Sequence, residues 1–193
     1  MRIYVGGSKG GTGKSTVAVY LFKRLKEMGH RVGFRDLSQN LIGEALMKAM
    51  KLTPDPDPEF EIYDLRSGTQ LDHGDVEILV TEFPYLSLDL EETNSEEERL
   101  REEMRSQIGE TKSRRVLVVN KVSPVPEDMQ EQVRKVRELA WSFDHVVIVP
   151  FNGNLFYNNL EGEPTLDVLA EILAGKRGDK FVYPLAEPMH RRP

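Results

Sequence analysis

Short apolar runs alternate along the chain with longer segments in which apolar positions recur every three or four residues. The apolar runs have the length of single strands and predict strands at residues 2–6, 31–35, 59–63, 76–81, 115–120 and 145–149. The periodic segments predict helices at residues 14–28, 40–51, 89–109, 127–142 and 165–174. This alternation is typical of a mostly parallel sheet covered by helices on both faces. The pattern therefore predicts an α/β fold built on a single doubly wound sheet.

Two segments interrupt the alternation. Residues 53–58 read T-P-D-P-D-P, and prolines at this density exclude a helix or a central strand. Residues 175–193 lack a clear period, and we expect a tail that packs on or extends the same domain, with one more strand near Phe181–Tyr183. The 193 residues of the chain suit one domain, which we place at residues 1–174.

The composition is that of an ordinary globular protein, with 39% hydrophobic and 30% charged residues. The chain has no cysteine, which excludes disulfides, thiolate zinc sites and iron–sulfur clusters and fits a reducing compartment. It begins directly on a predicted strand without a leader pattern, and no apolar run has the length of a membrane span. We therefore expect a cytoplasmic protein.

The net charge of −6 is concentrated in one predicted helix. Residues 89–110 contain nine acidic residues and three arginines, so the rest of the chain is neutral overall. Most such runs are solvated helix faces, and the alternative is a docking surface for a protein partner, which we expect at helix 89–109. No basic stripe gives a strong signal for direct nucleic-acid binding. The tail also lacks the lysine-rich amphipathic helix of a membrane anchor.

The candidate chemistry lies between the first predicted strand and the first predicted helix, where residues 8–16 read S-K-G-G-T-G-K-S-T. A glycine-rich loop in this position is typical of phosphate binding, because its backbone N–H groups can turn towards an anion at a helix N-terminus. Lys14 suits the β- and γ-phosphates, and the hydroxyl of Ser15 suits Mg²⁺. The sequence thus predicts a nucleotide site. Its candidate residues are Gly10, Gly11, Thr12, Gly13, Lys14, Ser15 and Thr16.

The loop departs from the usual Walker A pattern, G-x-x-x-x-G-K-[ST]. Ser8 stands where the first glycine is expected, and an additional lysine, Lys9, follows it. The string K-G-G-T-G-K-S resembles the deviant Walker A motif of the ParA/MinD-like P-loop ATPases, which belong to the SIMIBI class. The resemblance implies a P-loop NTPase fold, ATP or ADP with Mg²⁺ as ligands, and an ATP-dependent homodimer in which Lys9 reaches the partner's phosphates. Without the resemblance, Lys9 is an exposed residue that adds positive potential near its own site.

Two aspartates at the ends of predicted strands are candidates for holding Mg²⁺. Asp36 ends the second strand and Asp64 the third, and Mg²⁺ is commonly held at such positions through its water shell. The alternative is that both residues only cap strand ends. Asp64 opens the string D-L-R-S-G, which resembles the D-[ST]-P-x-G segment of the same family. The resemblance implies that Gly68 donates its backbone N–H near the γ-phosphate, although Leu65 and Arg66 depart from the family pattern.

The residues after Asp36 raise a question about catalysis. The resembling ATPases commonly have D-x-D here, and the resemblance implies that the second aspartate orients the attacking water. This chain has Ser38, which cannot act as a base at pH 7, followed by Gln39, which is the alternative group for positioning water. We therefore assign Lys9, Lys14, Asp36 and Gln39 as candidate catalytic residues and expect slow or partner-stimulated hydrolysis.

Base recognition is expected where the fifth and sixth predicted strands end. Residues 120–123 read N-K-V-S, and a guanine-specific N-K-x-D would require an aspartate in place of Ser123. The resemblance implies that Asn120 meets adenine and that Pro150 and Asn152 line the base, which favours ATP over GTP. Taken alone, Asn120 fits a turn at a strand end.

The working hypothesis is an ATPase of the ParA/MinD type that acts as an ATP-dependent dimerisation switch. One alternative is an ATP-dependent biosynthetic ligase of the dethiobiotin-synthetase or cobyrinate-synthase kind. Segments 41–58 and 82–90 are short for its substrate loops, and Lys9 has no evident role in it. The other alternative is a nucleotide sensor that does not hydrolyse ATP, which the serine at position 38 leaves open.

Overall fold

The computed structural model describes residues 1–71, 74–82, 98–99, 101–102, 112–140, 142–157 and 159–184. Within these residues the strands are β1 (Arg2–Gly6), β2 (Val32–Asp36), β3 (Phe60–Asp64), β4 (Val76–Glu82), β5 (Arg114–Val122), β6 (His145–Pro150) and β7 (Phe181–Val182). The helices that have defined bounds are α1 (Lys14–Glu27), α2 (Ile42–Ala49), α3 (Pro126–Leu139), α4 (Gly153–Phe156) and α5 (Pro164–Leu173).

The strands form one sheet in the order β2-β3-β1-β4-β5-β6-β7. Every neighbouring pair is parallel, which confirms the predicted doubly wound α/β fold. From the interior strand β1 the chain first winds towards β2 and then, after β3, continues on the other side through β4. In open parallel sheets, ligands bind at the carboxyl ends of the strands where the winding reverses. The loop that follows β1 lies at this point.

Both faces of the sheet are covered. On one face, α1 packs against the strands with α2 and α5, and its side chains Leu21, Phe22 and Leu25 are fully buried. On the other face, Val136 of α3 packs with Leu117 and other apolar residues of the central strands. Among the described residues, no helix combines the length and the apolar character that crossing a bilayer requires.

The observed elements match the predicted ones apart from their ends and two helices. Helix α2 is shorter than predicted, because Leu41 (φ 48°) precedes it and Lys51 (φ 55°) follows it in left-handed conformations. The four-residue helix α4 was not predicted, since a single turn carries no periodic signal. The predicted helix 89–109 lies almost entirely outside the described residues, and so does the docking surface expected on it.

The loop after β1 is packed tightly against the sheet at Gly7. A Cβ atom at this position would lie 2.4 Å from the backbone oxygen of Val80 in β4. At Gly10, three residues further on, no heavy atom lies within 4 Å of the position that a Cβ would take. The loop therefore contacts the sheet closely at Gly7 and has open space around it at Gly10.

These two glycines give a matched pair of substitutions. We expect Gly7→Ala to lower the free energy of unfolding by about 2 kcal/mol or more, because a backbone atom of β4 must move. Gly10→Ala should change it by no more than about 1 kcal/mol in either direction. Urea denaturation without added ligand measures both. Equal effects of the two substitutions would contradict this packing of the loop.

Candidate functional site

The loop at residues 7–13 owes its shape to glycines. Gly11 (φ 80°) and Gly13 (φ 94°) have left-handed conformations, which glycine adopts without steric cost. Gly13 is the N-cap of α1, and a Cβ atom on it would lie 2.3 Å from Nδ2 of Asn120. Helix α1 therefore begins at the space that the loop encloses, where the N–H groups of a helix N-terminus suit an anion.

Lys14 connects the loop to the segment that follows β3. Its side chain is 7% exposed. The ammonium group donates to the carbonyl oxygen of Lys9 at 2.5 Å and to Oγ of Ser67 at 2.9 Å. One buried cation is thus held between the two segments that border the site.

A cavity of about 530 Å³ lies over the loop. Gly10, Gly11 and residues 13–16 of the loop line it, together with residues of segments 38–42 and 65–67. Thr12, also predicted to bind the nucleotide, is buried outside this lining. Its charged lining residues are Lys14 and Arg66, and none of the described lining residues is acidic. The cavity therefore suits an anion.

The carboxylate of Asp64 lies behind this cavity at the end of β3. The residue is fully buried, and no hydrogen bond of normal geometry reaches either carboxylate oxygen from the described residues. Burial raises the pKa of Asp64 to about 6; the Ser15 hydroxyl opposes this rise, the charge of Asp36 adds to it and Lys14 opposes it. An unpaired buried carboxylate is costly, and a hydrated divalent cation is one partner that would compensate it. The residues present therefore fit the predicted Mg²⁺ site at Ser15 and Asp64.

Asp36 is placed differently, because both of its oxygens already accept hydrogen bonds. Oδ1 accepts from the backbone N–H of Ser38 at 2.8 Å, and Oδ2 accepts from that of Glu44 at 2.9 Å. These bonds fix the segment between β2 and α2. A Cβ atom on Gly43 would lie 2.9 Å from Oδ2 of Asp64 and 3.0 Å from Oδ2 of Asp36, so α2 packs directly on the two carboxylates. The observed contacts of Asp36 are structural, and its metal and catalytic roles stay predictions.

The remaining catalytic candidates are only partly brought together. Ser38 and Gln39 both line the cavity, and Oγ of Ser38 is buried without a hydrogen-bond partner among the described residues. The side chain of Lys9 is exposed, and the residue is not part of the cavity lining.

Gly68 also lies outside the lining, and its N–H donates to the carbonyl oxygen of Gly7 at 3.0 Å. This arrangement does not support the phosphate contact expected of Gly68, because its donor is already used within the protein.

A second cavity of about 160 Å³ adjoins the loop on the side of β5 and β6. Asn120 lines it, but Nδ2 donates to the carbonyl oxygen of Thr12 at 2.9 Å and Oδ1 accepts from the backbone N–H of Lys121 at 2.9 Å. Asn152 also lines it and is likewise engaged, with Oδ1 accepting from the backbone N–H of Asn154 and Nδ2 donating to Glu163. The two amides hold the surrounding loops in place.

Two other residues of this region have clear positions. Ser123 is buried outside the cavity lining, where its hydroxyl donates to Asp128 at 2.9 Å. No carboxylate therefore stands at the position where a guanine-specific motif would need one. Pro150 ends β6 and lies outside the described lining of both cavities, so its predicted contact with a base has no support from its position.

Four residues that line the second cavity were not among the predicted site residues: Lys121, Phe151, Leu155 and Phe156. Phe151 and Phe156 line it with exposed rings whose centroids lie 5.9 Å apart. Lys121 donates from Nζ to the carbonyl oxygen of Gly11 at 2.6 Å and forms an ion pair with Glu82. The aromatic residues of the string F-N-G-N-L-F-Y were the available signal. The contact of Lys121 with the loop had none, because it joins positions 110 residues apart.

Comparisons with known proteins agree with this geometry. The family model of the ATPase MipZ matches residues 1–43, the segment from β1 into α2. No curated protein sequence matches the chain. A chain of the MinC:MinD cell division protein complex of Aquifex aeolicus superposes with a TM-score of 0.55 at 16% identity, covering 96% of this chain and 98% of that chain. The chain has the fold of the MinD-like P-loop ATPases.

Two further structures share this MinD-like fold. Cobyrinic acid a,c-diamide synthase from Mycobacterium smegmatis, solved with an ATP analogue and magnesium, has a TM-score of 0.57 at 12% identity and covers 95% of this chain and 98% of that chain. The septum site-determining protein MinD of Pyrococcus horikoshii, complexed with Mg-ADP, has a TM-score of 0.53 at 16% identity and covers 89% and 95%. Such identities establish the fold. The MipZ match over the loop adds support for the ParA/MinD-like class.

The two aspartates should respond to the same substitution with opposite signs. Ionisation of Asp64 at pH 8 lowers stability, because its pKa in the folded chain lies above the ordinary value. We expect Asp64→Asn to raise the free energy of unfolding of the ligand-free chain at pH 8 by about 1 kcal/mol or more. Asp36→Asn should lower it by about 1 kcal/mol, because the new amide faces a backbone N–H. Urea denaturation at pH 8 measures both, and a loss of stability in Asp64→Asn would contradict the assignment.

Proposed function

We propose that the chain binds ATP or ADP together with Mg²⁺ and acts as an ATPase of the ParA/MinD type. One observation carries the proposal: an acid-free cavity over a glycine-rich loop, bordered by the buried ammonium of Lys14 and backed by the buried carboxylate of Asp64. The loop supplies donors to an anion, and the carboxylate supplies the counter-charge for a cation. Relatives in fold that were solved with Mg-ADP, or with an ATP analogue and magnesium, support the choice of ligand.

In this proposal the residues of the loop and the two aspartates have separate roles. The N–H groups of residues 10–16 hold the phosphates, and Lys14 contacts the β- and γ-phosphates. Ser15 and Asp64 would hold Mg²⁺, directly and through its waters, and Asp36 fixes the loop that approaches it. Bound there, Mg²⁺ would neutralise charge that develops on the phosphates during transfer.

We propose that hydrolysis is slow or depends on a partner. Ser38 and Gln39 line the cavity where the attacking water is expected, and neither side chain is a base at pH 7. Gln39 is the group that we propose to orient the water, as glutamine does in GTPases. A partner that supplies a further group would raise the rate.

The second cavity is the proposed base site. Phe151 and Phe156 offer aromatic faces there, and the engaged amides of Asn120 and Asn152 give it shape. Adenine is preferred in this proposal, because Ser123 is turned away and offers no charged acceptor to guanine.

The proposal includes an ATP-dependent homodimer. The ammonium of Lys9 is exposed and lies outside the lining of its own cavity, which supports a contact with the phosphates of a second copy. A MinD relative is known in a complex with MinC, and a protein partner at the acidic segment 89–109 is part of the proposal. A cytoplasmic location is also part of it.

The ligase alternative keeps specific support. Cobyrinic acid a,c-diamide synthase superposes as well as the MinD chains do, and 98% of its chain is covered. The size of the chain therefore does not separate the two functions. A ligase should bind ATP without forming an ATP-dependent dimer and should release little phosphate without its substrate.

We expect Lys14→Ala to abolish binding of Mg²⁺·ADP, because it removes the full charge that the loop presents to the phosphates. Calorimetric titration measures this loss. Lys9→Ala is the matched control: it removes an equal charge from the same loop, and it should leave the ADP affinity of the monomer within about threefold of wild type. An unchanged affinity in Lys14→Ala would refute the phosphate site.

The dimer is tested by measuring molar mass at high protein concentration with a non-hydrolysable ATP analogue, with ADP and without nucleotide. We expect a dimer with the analogue alone and a monomer in every state of Lys9→Ala, because Lys9 acts across the interface. Phosphate release by the wild-type chain is followed in parallel. A monomer in all three states would contradict the switch, and phosphate release that requires a small carboxylate substrate would favour the ligase.

A further inference from the structure

Arg66 lies on the wall of the larger cavity, the one over the glycine-rich loop. It lies two residues after Asp64, its side chain is exposed, and it lines the cavity beside Ser67. No hydrogen bond or ion pair of its guanidinium is found among the described residues. Its charge is therefore available to a ligand in the cavity.

The backbone on both sides of Arg66 is fixed. Leu65 is buried, and its N–H donates to the carbonyl oxygen of Val5 in β1 at 2.9 Å. Gly68 donates to Gly7 at 3.0 Å, which ties the other side of the segment to the phosphate-binding loop. The guanidinium thus extends from a short segment that is anchored to β1 at one end and to the loop at the other.

The contacts of this segment indicate which end of a nucleotide it would meet. Oγ of Ser67 accepts a hydrogen bond from the ammonium of Lys14 at 2.9 Å, and that ammonium is the proposed ligand of the β- and γ-phosphates. The N–H of Gly68, the donor expected near the γ-phosphate, is bonded to Gly7. The terminal phosphate therefore lacks one expected donor, and Arg66 is the neighbouring lining residue that carries donors.

We propose that Arg66 binds the terminal phosphate of a nucleoside triphosphate in its own chain and thereby discriminates ATP from ADP. A guanidinium presents a planar fork of donors that matches two oxygens of one phosphate. No described lining residue is an acid that would compete for it, because Asp36 is bonded to two backbone N–H groups and Asp64 is buried behind the cavity. This inference rests on the proposed function and adds a residue that reads the γ-phosphate.

The test compares two ligands by calorimetry: Mg²⁺·AMP-PNP, which carries a terminal phosphate, and Mg²⁺·ADP, which does not. Arg66→Ala should weaken AMP-PNP binding by about tenfold or more and ADP binding by less than about twofold. Arg66→Lys should recover part of the loss, because it keeps the charge without the planar fork. Arg134→Ala, on the exposed surface of α3, removes an equal charge outside both cavities and should change neither affinity.

The same titrations are repeated in the Lys9→Ala background, in which the proposed dimer does not form. The selective loss should persist there, because Arg66 acts in its own chain. Three results would each overturn the inference: an equal loss for both nucleotides, no loss for either, or a loss that disappears in this background. In all three cases, ADP binding by the wild-type chain would still support the nucleotide site. If the wild-type chain binds neither nucleotide, the proposed function fails and the inference fails with it. Thermal unfolding of each variant, followed by circular dichroism, verifies that it is folded.

Discussion

The carboxylate of Asp64 is buried at the carboxyl end of β3, and no described residue gives it a hydrogen bond of normal geometry. Such a group costs free energy in the folded chain unless something compensates its charge. Proteins seldom keep an unpaired carboxylate in this position for stability alone, and functional sites are where such groups are found. Helix α2 packs on this carboxylate at Gly43, where a Cβ atom would lie 2.9 Å from Oδ2 of Asp64. The nucleotide-and-metal interpretation of the whole site depends on this one charge.

Near this charge, hydrogen bonds within the chain fix the glycine-rich loop. The glycine-rich loop is held at Thr12 by Asn120, at Gly11 by Lys121 and at Gly7 by Gly68. These contacts come from both sides of β1, so the loop is fixed before any ligand arrives. Donors that are fixed in advance bind an anion without a further ordering cost. The guanidinium of Arg66 has no such contact among the described residues and is left for the ligand.

Much of this arrangement could be read from the sequence. The strand, glycine-rich loop and helix at residues 2–28 are encoded locally, and so is the alternation that gives the parallel sheet. What could not be read is the partner that each polar group takes. Asn120 holds the loop and Gly68 binds Gly7, and these contacts depend on chain segments that only the tertiary fold brings together.

The availability of Arg66 was hidden for the same reason. A departure from a motif shows that a residue is different, but only the folded chain shows that its guanidinium faces a cavity without competing acids. The aromatic side of the second cavity was missed because α4 is one turn long and falls below any periodic signal. Local propensity thus predicts the helices and strands. The geometry of the site depends on which donor pairs with which acceptor, and the tertiary fold determines that pairing.

The central claim is that the loop and Asp64 form one site for a nucleotide and a divalent cation. Calorimetric titration of the wild-type chain with ADP, first with saturating Mg²⁺ and then with EDTA, tests it most directly. The account predicts that Mg²⁺ tightens ADP binding by about tenfold or more, because the cation compensates both the phosphates and the buried carboxylate. Equal affinity with and without Mg²⁺, or no binding in either condition, would contradict it.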